Sequence, residues 1–554
     1  MKSVCVLTKR KKTPIIYIMK KLSARKKRWI ERTVANDRSY KAFLYNRFFS
    51  FLCLVLLQIV FFGALFYLLV YHSRIALVLQ ITLFVLELAI VLSILNHHDR
   101  PSSRLNWIIL ILVVPVFGVP TYVMSGRGRP TRKMHKKIQT AKADIAQAFK
   151  EAYGEMEIPT PKTRGEAISR YLSVLGRYPV FHDGEVEYYQ SGEAMFPDML
   201  EAIAKAEKFI LVEYFIIAHG VMWSSIKKLL LAKAMQGVQI RIIYDDFGCM
   251  MTLPPNYERY LEGLHENIKC MTFNPVVPFL AVRMNNRDHR KMLVIDGNVA
   301  FTGGINLADE YIAQKQRFGY WKDTGLKITG NAVRSFTQMF FYLWNAFRKD
   351  KENVSLYLQP NTEQKGQKVE RKDALCIQPY DDSPLDRLST GEAVYVDLIN
   401  RASKNVWIFT PYLILDDILR ASLCQAAMRG VDVRIVTPGI PDKAMAYRLT
   451  RANYGLLMKA GVRIYEYSPG FIHAKSMLCD DEYAVVGTIN LDYRSLYHHF
   501  ENAVYFSGCA AVADLKRDYE ETFALSRERT PENMKRSVLG RFFDAVLRVF
   551  ETLF

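Results

Sequence analysis

His289-Arg290-Lys291-Met292-Leu293-Val294-Ile295-Asp296 and, much later, His473-Ala474-Lys475-Ser476-Met477-Leu478-Cys479-Asp480 are two copies of one pattern, His-x-Lys-x-x-x-x-Asp. The agreement extends downstream: Gly303 and Asn306 lie 14 and 17 residues past His289, and Gly487 and Asn490 lie at the same offsets past His473. One copy is a weak signal, but a matched pair with shared flanking residues calls for a common cause. The residues after each Lys read as a buried strand, so His and Lys, two apart, project from one face. The surroundings repeat as well. Residues 204–215 read as a helix end and strand, and 230–244 as a helix, a stop at Gly237 and a strand; 402–412 and 426–436, with a stop at Gly430, show the same grammar. Offsets of 193 residues at the glycine stops and 184 at the histidines make the repeat domain-sized. The expected class is α/β: two fused α/β sandwich domains behind an N-terminal transmembrane helical region.

Each copy offers an imidazole beside a fixed cation, and its Gly-x-x-Asn adds an amide donor and backbone N–H groups suited to phosphate oxygens. Together the halves supply His289 and His473, Lys291 and Lys475, Asn306 and Asn490. A phosphodiester needs those parts: a nucleophile, an acid for the leaving oxygen and donors around the equatorial oxygens. Asp296 and Asp480 complete the motif and count among the catalytic candidates, although an Asp beside a strand turn is often only a turn former. Asp323 and Glu501, 34 and 28 residues past their histidines, are candidates to accept a hydrogen bond from an imidazole's second nitrogen and orient the ring.

Composition bounds the rest. With 554 residues, half of them hydrophobic, the chain exceeds the ~250–300 residues at which single cores stop growing. The net charge of +20 is concentrated at the start, where residues 1–48 hold 15 Lys/Arg against 2 acids. Such an arm suits an anionic membrane surface or nucleic acid, and the apolar runs after it select the membrane. Residues 51–71 and 75–95 are long enough to span, and 107–123 is a marginal third run containing Pro115 and Pro120. The arm places the N-terminus inside, and the Lys/Arg cluster between Arg127 and Lys142 resists translocation. The catalytic domains are therefore expected on the cytoplasmic side of a multi-pass cell-membrane protein, with 107–123 re-entrant, or spanning only if one upstream run does not. The expected division is an arm (1–48), membrane helices (49–125), a basic helical linker (126–163), a first α/β domain (164–348), a polar linker (349–372), a second domain (373–527) and an amphipathic C-terminal helix (528–554). That helix sets Val538, Leu539, Phe542, Phe543, Val546, Leu547, Phe550 and Leu553 on one face, suited equally to a membrane interface and to docking on its own protein. The eight cysteines lack CxxC or CxxH spacing, which predicts free thiols in a reducing compartment and no metal site.

The doubled motif in two fused α/β sandwich domains resembles the phospholipase D superfamily, and the apolar N-terminal segments with the amphipathic C-terminus bring the likeness to its bacterial cardiolipin synthase family. The catalytic resemblance covers roughly residues 165–527; the long basic arm and extra leading span depart from that family's usual pair of spans. The resemblance implies a ping-pong transfer without metal or cofactor, in which His289 attacks the phosphorus of phosphatidylglycerol and His473 protonates the departing glycerol. His473 then deprotonates the glycerol hydroxyl of a second phosphatidylglycerol, which attacks the phosphohistidine to give cardiolipin. The near-symmetric repeat leaves the two histidine roles interchangeable. The resemblance further implies that Lys291, Lys475, Asn306 and Asn490 hold phosphate oxygens while Asp323 and Glu501 orient the histidines. A hydrolytic phospholipase D, or a phosphatidyltransferase for another alcohol, shares these motifs, because acceptor choice rests on pocket shape and water exclusion. A nuclease of this fold has no need of the membrane segments, and intact motifs in both halves argue against a non-enzymatic lipid-binding scaffold. The implied partners are phosphatidylglycerol and the membrane, not nucleic acid; the oligomeric state stays open.

Overall fold

The structure is a computed structural model that describes residues 73–96, 101–113, 132–156, 158–160, 164–276, 286–358, 375–385, 389–534 and 537–549, with isolated positions elsewhere. The basic arm, most of the run 51–71 and most of the linker 349–372 lie outside the described residues.

The first α/β domain contains β1 (Val186–Tyr189), β2 (Phe209–Tyr214), β3 (Gln239–Asp245), β4 (Ile268–Phe273), β5 (Lys291–Ile295), β6 (Val299–Gly303), the short β7 (Tyr320–Lys322) and β8 (Gly325–Thr329). The second contains β9 (Cys376–Asp382), β10 (Asn405–Phe409), β11 (Asp432–Pro438), β12 (Arg463–Tyr467), β13 (Gly470–Ile472), β14 (Ser476–Cys479), β15 (Tyr483–Gly487), β16 (Glu501–Ser507) and β17 (Ser526–Arg529). The sheet orders are β1-β8-β6-β5-β2-β3-β4 and β9-β16-β15-β14-β10-β11-β12-β17. Apart from the added edge strand β17, the two orders are the same, so the repeat read from the motifs is a repeat of topology. Gly237 and Gly430 take φ values of 99° and 92° just past the helices Val221–Ala234 and Asp417–Met428. This left-handed conformation ends a helix at least cost with glycine.

The strands after the histidines are buried on both faces, which accounts for their continuous apolar sequence. Met292 and Val294 face a central core shared by the two sheets, whereas Leu293 and Ile295 face the outer helices of the first domain. Leu478 faces the same central core, and Met477 and Cys479 face the outer helices of the second domain. The helix Val333–Phe347 fills this centre with Phe336, Phe340, Phe341 and Trp344. Truncating a side chain such as Leu293, 1 % exposed, to Ala costs about 2–5 kcal/mol at a site of this kind.

Two helices pack outside the segment expected for each. The helix Arg132–Tyr153, assigned to a linker, buries Met134, Ile138, Ala141 and Ile145 in the central core. The helix Arg164–Gly176, assigned to the first domain, packs Ile168 and Leu172 against the second. Its Ser169 carbonyl accepts a hydrogen bond from Gln378 Nε2 at 3.1 Å.

Upstream, Ser73–Asn96 forms a helix of 24 residues that exposes Val78, Ile81, Phe84, Val85 and Leu88. Its end packs Ile94 with Trp107, Leu110 and Ile111, the last three on the helix Pro101–Val113. Among the described residues no helix is long and apolar enough to cross a membrane. The expected transmembrane region is therefore represented by an exposed apolar helix rather than by an established span. The third run, 107–123, begins within the helix Pro101–Val113, and its residues 114–118 lie outside the described residues.

Candidate active site

Lys291 and Lys475 open β5 and β14 or directly precede them, and both are buried to 1 % exposure or less. Each ammonium donates to the carbonyl oxygen of the histidine two residues before it. Lys291 also lies 5.4 Å from the centre of the Phe215 ring. Between His289 and Lys291, Arg290 points to the other face, where its Nη2 lies 2.6 Å from Glu213 and its Nη1 donates to Tyr342 at 3.1 Å. A buried cation needs such partners.

The histidines are held across the domain boundary. His289 Nδ1 lies 2.9 Å from both carboxylate oxygens of Glu501. His473 Nδ1 lies 2.7 Å from Asp323 Oδ2. Backbone pairing sets this exchange: His289 N donates to Phe500 O at 2.8 Å, and His473 N donates to Lys322 O at 2.7 Å. Asp288 bridges Phe500, and β13 pairs with β7 in parallel. The residue before each carboxylate thus pairs with the opposite histidine, and each half-site is completed by the other domain. Spacing along the chain does not reveal this exchange. Carboxylates at Nδ1 place the ring proton there and leave Nε2 with its lone pair for chemistry.

The motif glycines serve the same exchange. At Gly303, with φ 140°, an added Cβ would meet Thr324 O at 2.3 Å, and at Gly304 it would meet Asp323 Oδ1 at 2.0 Å. At Gly487 it would meet Asn502 O at 2.4 Å. The segment carrying each carboxylate therefore packs against its own domain's glycine only because a side chain is missing there. Residues between and beyond the motif positions then hold the carboxylates: Thr488 and Ser495 donate hydroxyls to Glu501, and Thr324 N donates to Asp323 Oδ1 at 2.8 Å.

Asn306 and Asn490 are buried beside the site, with their amides engaged. Asn306 Nδ2 donates to Tyr311 OH at 2.7 Å while its Oδ1 accepts from Ile216 N at 3.0 Å. Asn490 Nδ2 donates to Asp492 at 2.9 Å. Tyr311 in turn stands 5.5 Å, centroid to centroid, from the His473 ring.

Asp296 and Asp480 do not belong to the site. Asp296 accepts the backbone N–H groups of Glu207, Lys208 and Phe209 at 2.7–2.8 Å. Asp480 accepts those of Ser403, Lys404 and Asn405 at 2.7–3.2 Å. Each lies at the far end of its strand from the histidine, with φ of 53° and 55° respectively, and caps the start of β2 or β10. Both carboxylates are thus engaged at the turns where β2 and β10 begin, away from the histidines.

Electrostatics make the site one that favours an anion. Burial first, then the neighbouring charges of Lys291, Lys475, His473 and Lys443, pushes His289 well below 6.5. Burial and Lys475 push His473 down to about 4 against the opposing pull of Asp323. Burial lowers Lys291 to about 8 and Lys475 to about 7. Lys443 carries no motif signal, and the rings of Phe215, Trp321 and Phe471 around the imidazoles are ordinary apolar residues in sequence. Among the described residues, one group of donors has the spacing of a metal site: His289, His499 and Glu501, with one atom from each within 4.8 Å of the others.

The chain also has relatives of known family. The sequence family described as "Cardiolipin synthase, PLD-like domain" matches residues 199–344 and 395–523, and "Phospholipase_D-nuclease N-terminal" matches 85–127. The cardiolipin synthase of Alkalihalophilus pseudofirmus is 32% identical over 446 residues, covering 79% of this chain and 86% of that protein. Cardiolipin synthase 2 of Bacillus anthracis is 31% identical over 463 residues, 83% of this chain and 88% of its own length. An uncharacterized protein of Streptococcus mutans serotype c is 42% identical over 453 residues, covering 81% and 96%. Among solved structures, the phosphatidylserine synthase of Haemophilus influenzae aligns with a TM-score of 0.52 at 14% identity, over 71% of this chain and all of that one. That likeness is one of fold. The chain belongs to the phospholipase D superfamily, within its cardiolipin synthase family, and is a phosphatidyltransferase of the phospholipase D type.

Proposed function

We propose that the protein is a cardiolipin synthase, transferring a phosphatidyl group from one phosphatidylglycerol to the glycerol hydroxyl of another and releasing glycerol. The observation that carries this reading is the reciprocal pairing of His289 with Glu501 and His473 with Asp323, which makes one site from two half-sites. His289 Nε2 attacks phosphorus and forms a phosphohistidine. His473, charged once an anionic phosphate offsets the surrounding cations, gives its proton to the departing glycerol oxygen. His473 then takes the proton of the incoming hydroxyl, whose oxygen attacks phosphorus and frees His289. Lys291 and Lys475 turn from the histidine carbonyls to the phosphate oxygens, and the Asn306 and Asn490 amides exchange their internal acceptors for the same oxygens.

A membrane location is part of this proposal and suits a lipid substrate. The helix Ser73–Asn96 exposes Val78, Ile81, Phe84, Val85 and Leu88, an apolar surface suited to contact with lipid. The C-terminal helix Val538–Val549 docks on its own protein through Asp544, 2.7 Å from Arg448, and keeps Val538, Leu539, Phe542 and Phe543 exposed, an apolar face suited to a bilayer surface. Insertion of the apolar helices and cytoplasmic catalytic domains complete the proposal.

Purified protein in detergent, given phosphatidylglycerol labelled in its headgroup glycerol, is expected to release glycerol and form cardiolipin in equal amounts. Phosphatidic acid instead would mean hydrolysis, and an absence of turnover would remove the enzymatic reading.

A further inference from the structure

His499 has no part in the proposed transfer, yet it sits against its centre. Its ring centroid is 5.4 Å from that of His289. Its Nδ1 is 3.6 Å from Glu501 Oε1, beyond hydrogen-bond reach, and both ring nitrogens are buried without a hydrogen-bond partner among the described residues. A desolvated imidazole with neither nitrogen satisfied is unusual, because the lost hydration is uncompensated. Its surroundings offer a second imidazole and a carboxylate. Glu501 is itself fixed by the Thr488 and Ser495 hydroxyls, the kind of outer support that orients a metal-binding carboxylate.

We propose that His289, His499 and Glu501 form an inhibitory site for a borderline divalent transition-metal ion such as Zn2+. Tetrahedral zinc with bonds of ~2.0–2.1 Å sets its ligand atoms ~3.3 Å apart. Here His289 Nδ1 and Glu501 are 2.9 Å apart, Glu501 and His499 Nδ1 are 3.6 Å apart, and the three donors all lie within 4.8 Å of one another, so rotation of the His499 ring toward His289 is the movement that closes the triangle. The ion takes the lone pair of His289 Nδ1, and the single proton of the neutral ring moves to Nε2. Glu501 exchanges its hydrogen bond for a bond to the ion. With Nε2 protonated the ring has no lone pair to offer phosphorus, so transfer stops, and removal of the ion restores the original tautomer.

The inhibition, but not the binding, rests on the transfer reaction proposed for His289. The test takes the full-length protein in detergent, stripped with a chelator, and titrates it with Zn2+ alone by calorimetry, in wild type, His499→Phe and His499→Asn. Thermal unfolding of each variant confirms its fold. One ion per chain is expected in wild type, with affinity weakened at least about tenfold in both variants. In the lipid-transfer assay, the Zn2+ concentration that halves each protein's own uninhibited rate should rise by a similar factor. Absence of binding to wild type, or equal affinity in folded variants, overturns the site. Binding that shows this pattern without inhibition overturns the inhibitory role, and a protein that binds Zn2+ but transfers nothing removes the transfer reading while leaving the site.

Discussion

Glu501 and Asp323 decide what each imidazole can do, because a carboxylate on Nδ1 fixes the tautomer and favours the imidazolium that proton transfer creates. Glu501→Gln keeps the shape and removes the charge, so its kcat should fall about 10–100-fold while binding of phosphatidylglycerol changes little. Asp323→Asn should behave alike through His473. A normal rate in either variant would contradict the crosswise pairing. The site's pH dependence belongs to the same residues. Lys475 and Lys291, lowered to about 7 and about 8, lose their charge as pH rises through those values, and the free enzyme then loses its hold on phosphate. His289 becomes protonated only well below 6.5. Binding of an unreactive phosphatidylglycerol analogue to the free enzyme should therefore weaken as pH rises between about 7 and 8; an affinity unchanged past about pH 9 would contradict this arrangement. The motif made His289, His473 and their lysines legible, since two identical spacings leave little room for accident. It could not place Asp296 and Asp480, because a fixed place in a pattern does not separate a turn former from a reacting group.

At the scale of elements, the glycine stops and buried strands were readable from local chemistry, as Gly237 and Gly430 show. Partner choice was not. The helix Arg164–Gly176 carries an apolar face, but nothing in that face says which sheet will cover it, and it packs on the second domain. The strand starts give a prediction at this scale. Asp296→Ala leaves three N–H groups at the entry to β2 without their acceptor, at a cost of about 1–3 kcal/mol per buried group at most and less where water reaches them. Thermal unfolding should show a Tm lowered by several degrees, with kcat per folded molecule retained. A collapse of kcat in protein whose Tm is unchanged would return Asp296 to the chemistry.

At the scale of the whole molecule, the repeat was legible as two domains but not as one site, because the pairing depends on how the sheets face each other. Shared strand order, shared central core and exchanged carboxylates make the two histidines parts of a single centre. That claim meets its most direct test in burst kinetics with phosphatidyl-p-nitrophenol, whose leaving group departs without an acid. His473→Ala should release one equivalent of nitrophenolate per chain and stall with the phosphatidyl group on the peptide bearing His289, while His289→Ala should release none. Sustained turnover by either variant, or a burst from both, would contradict a centre in which one histidine bonds to phosphorus and the other moves the proton.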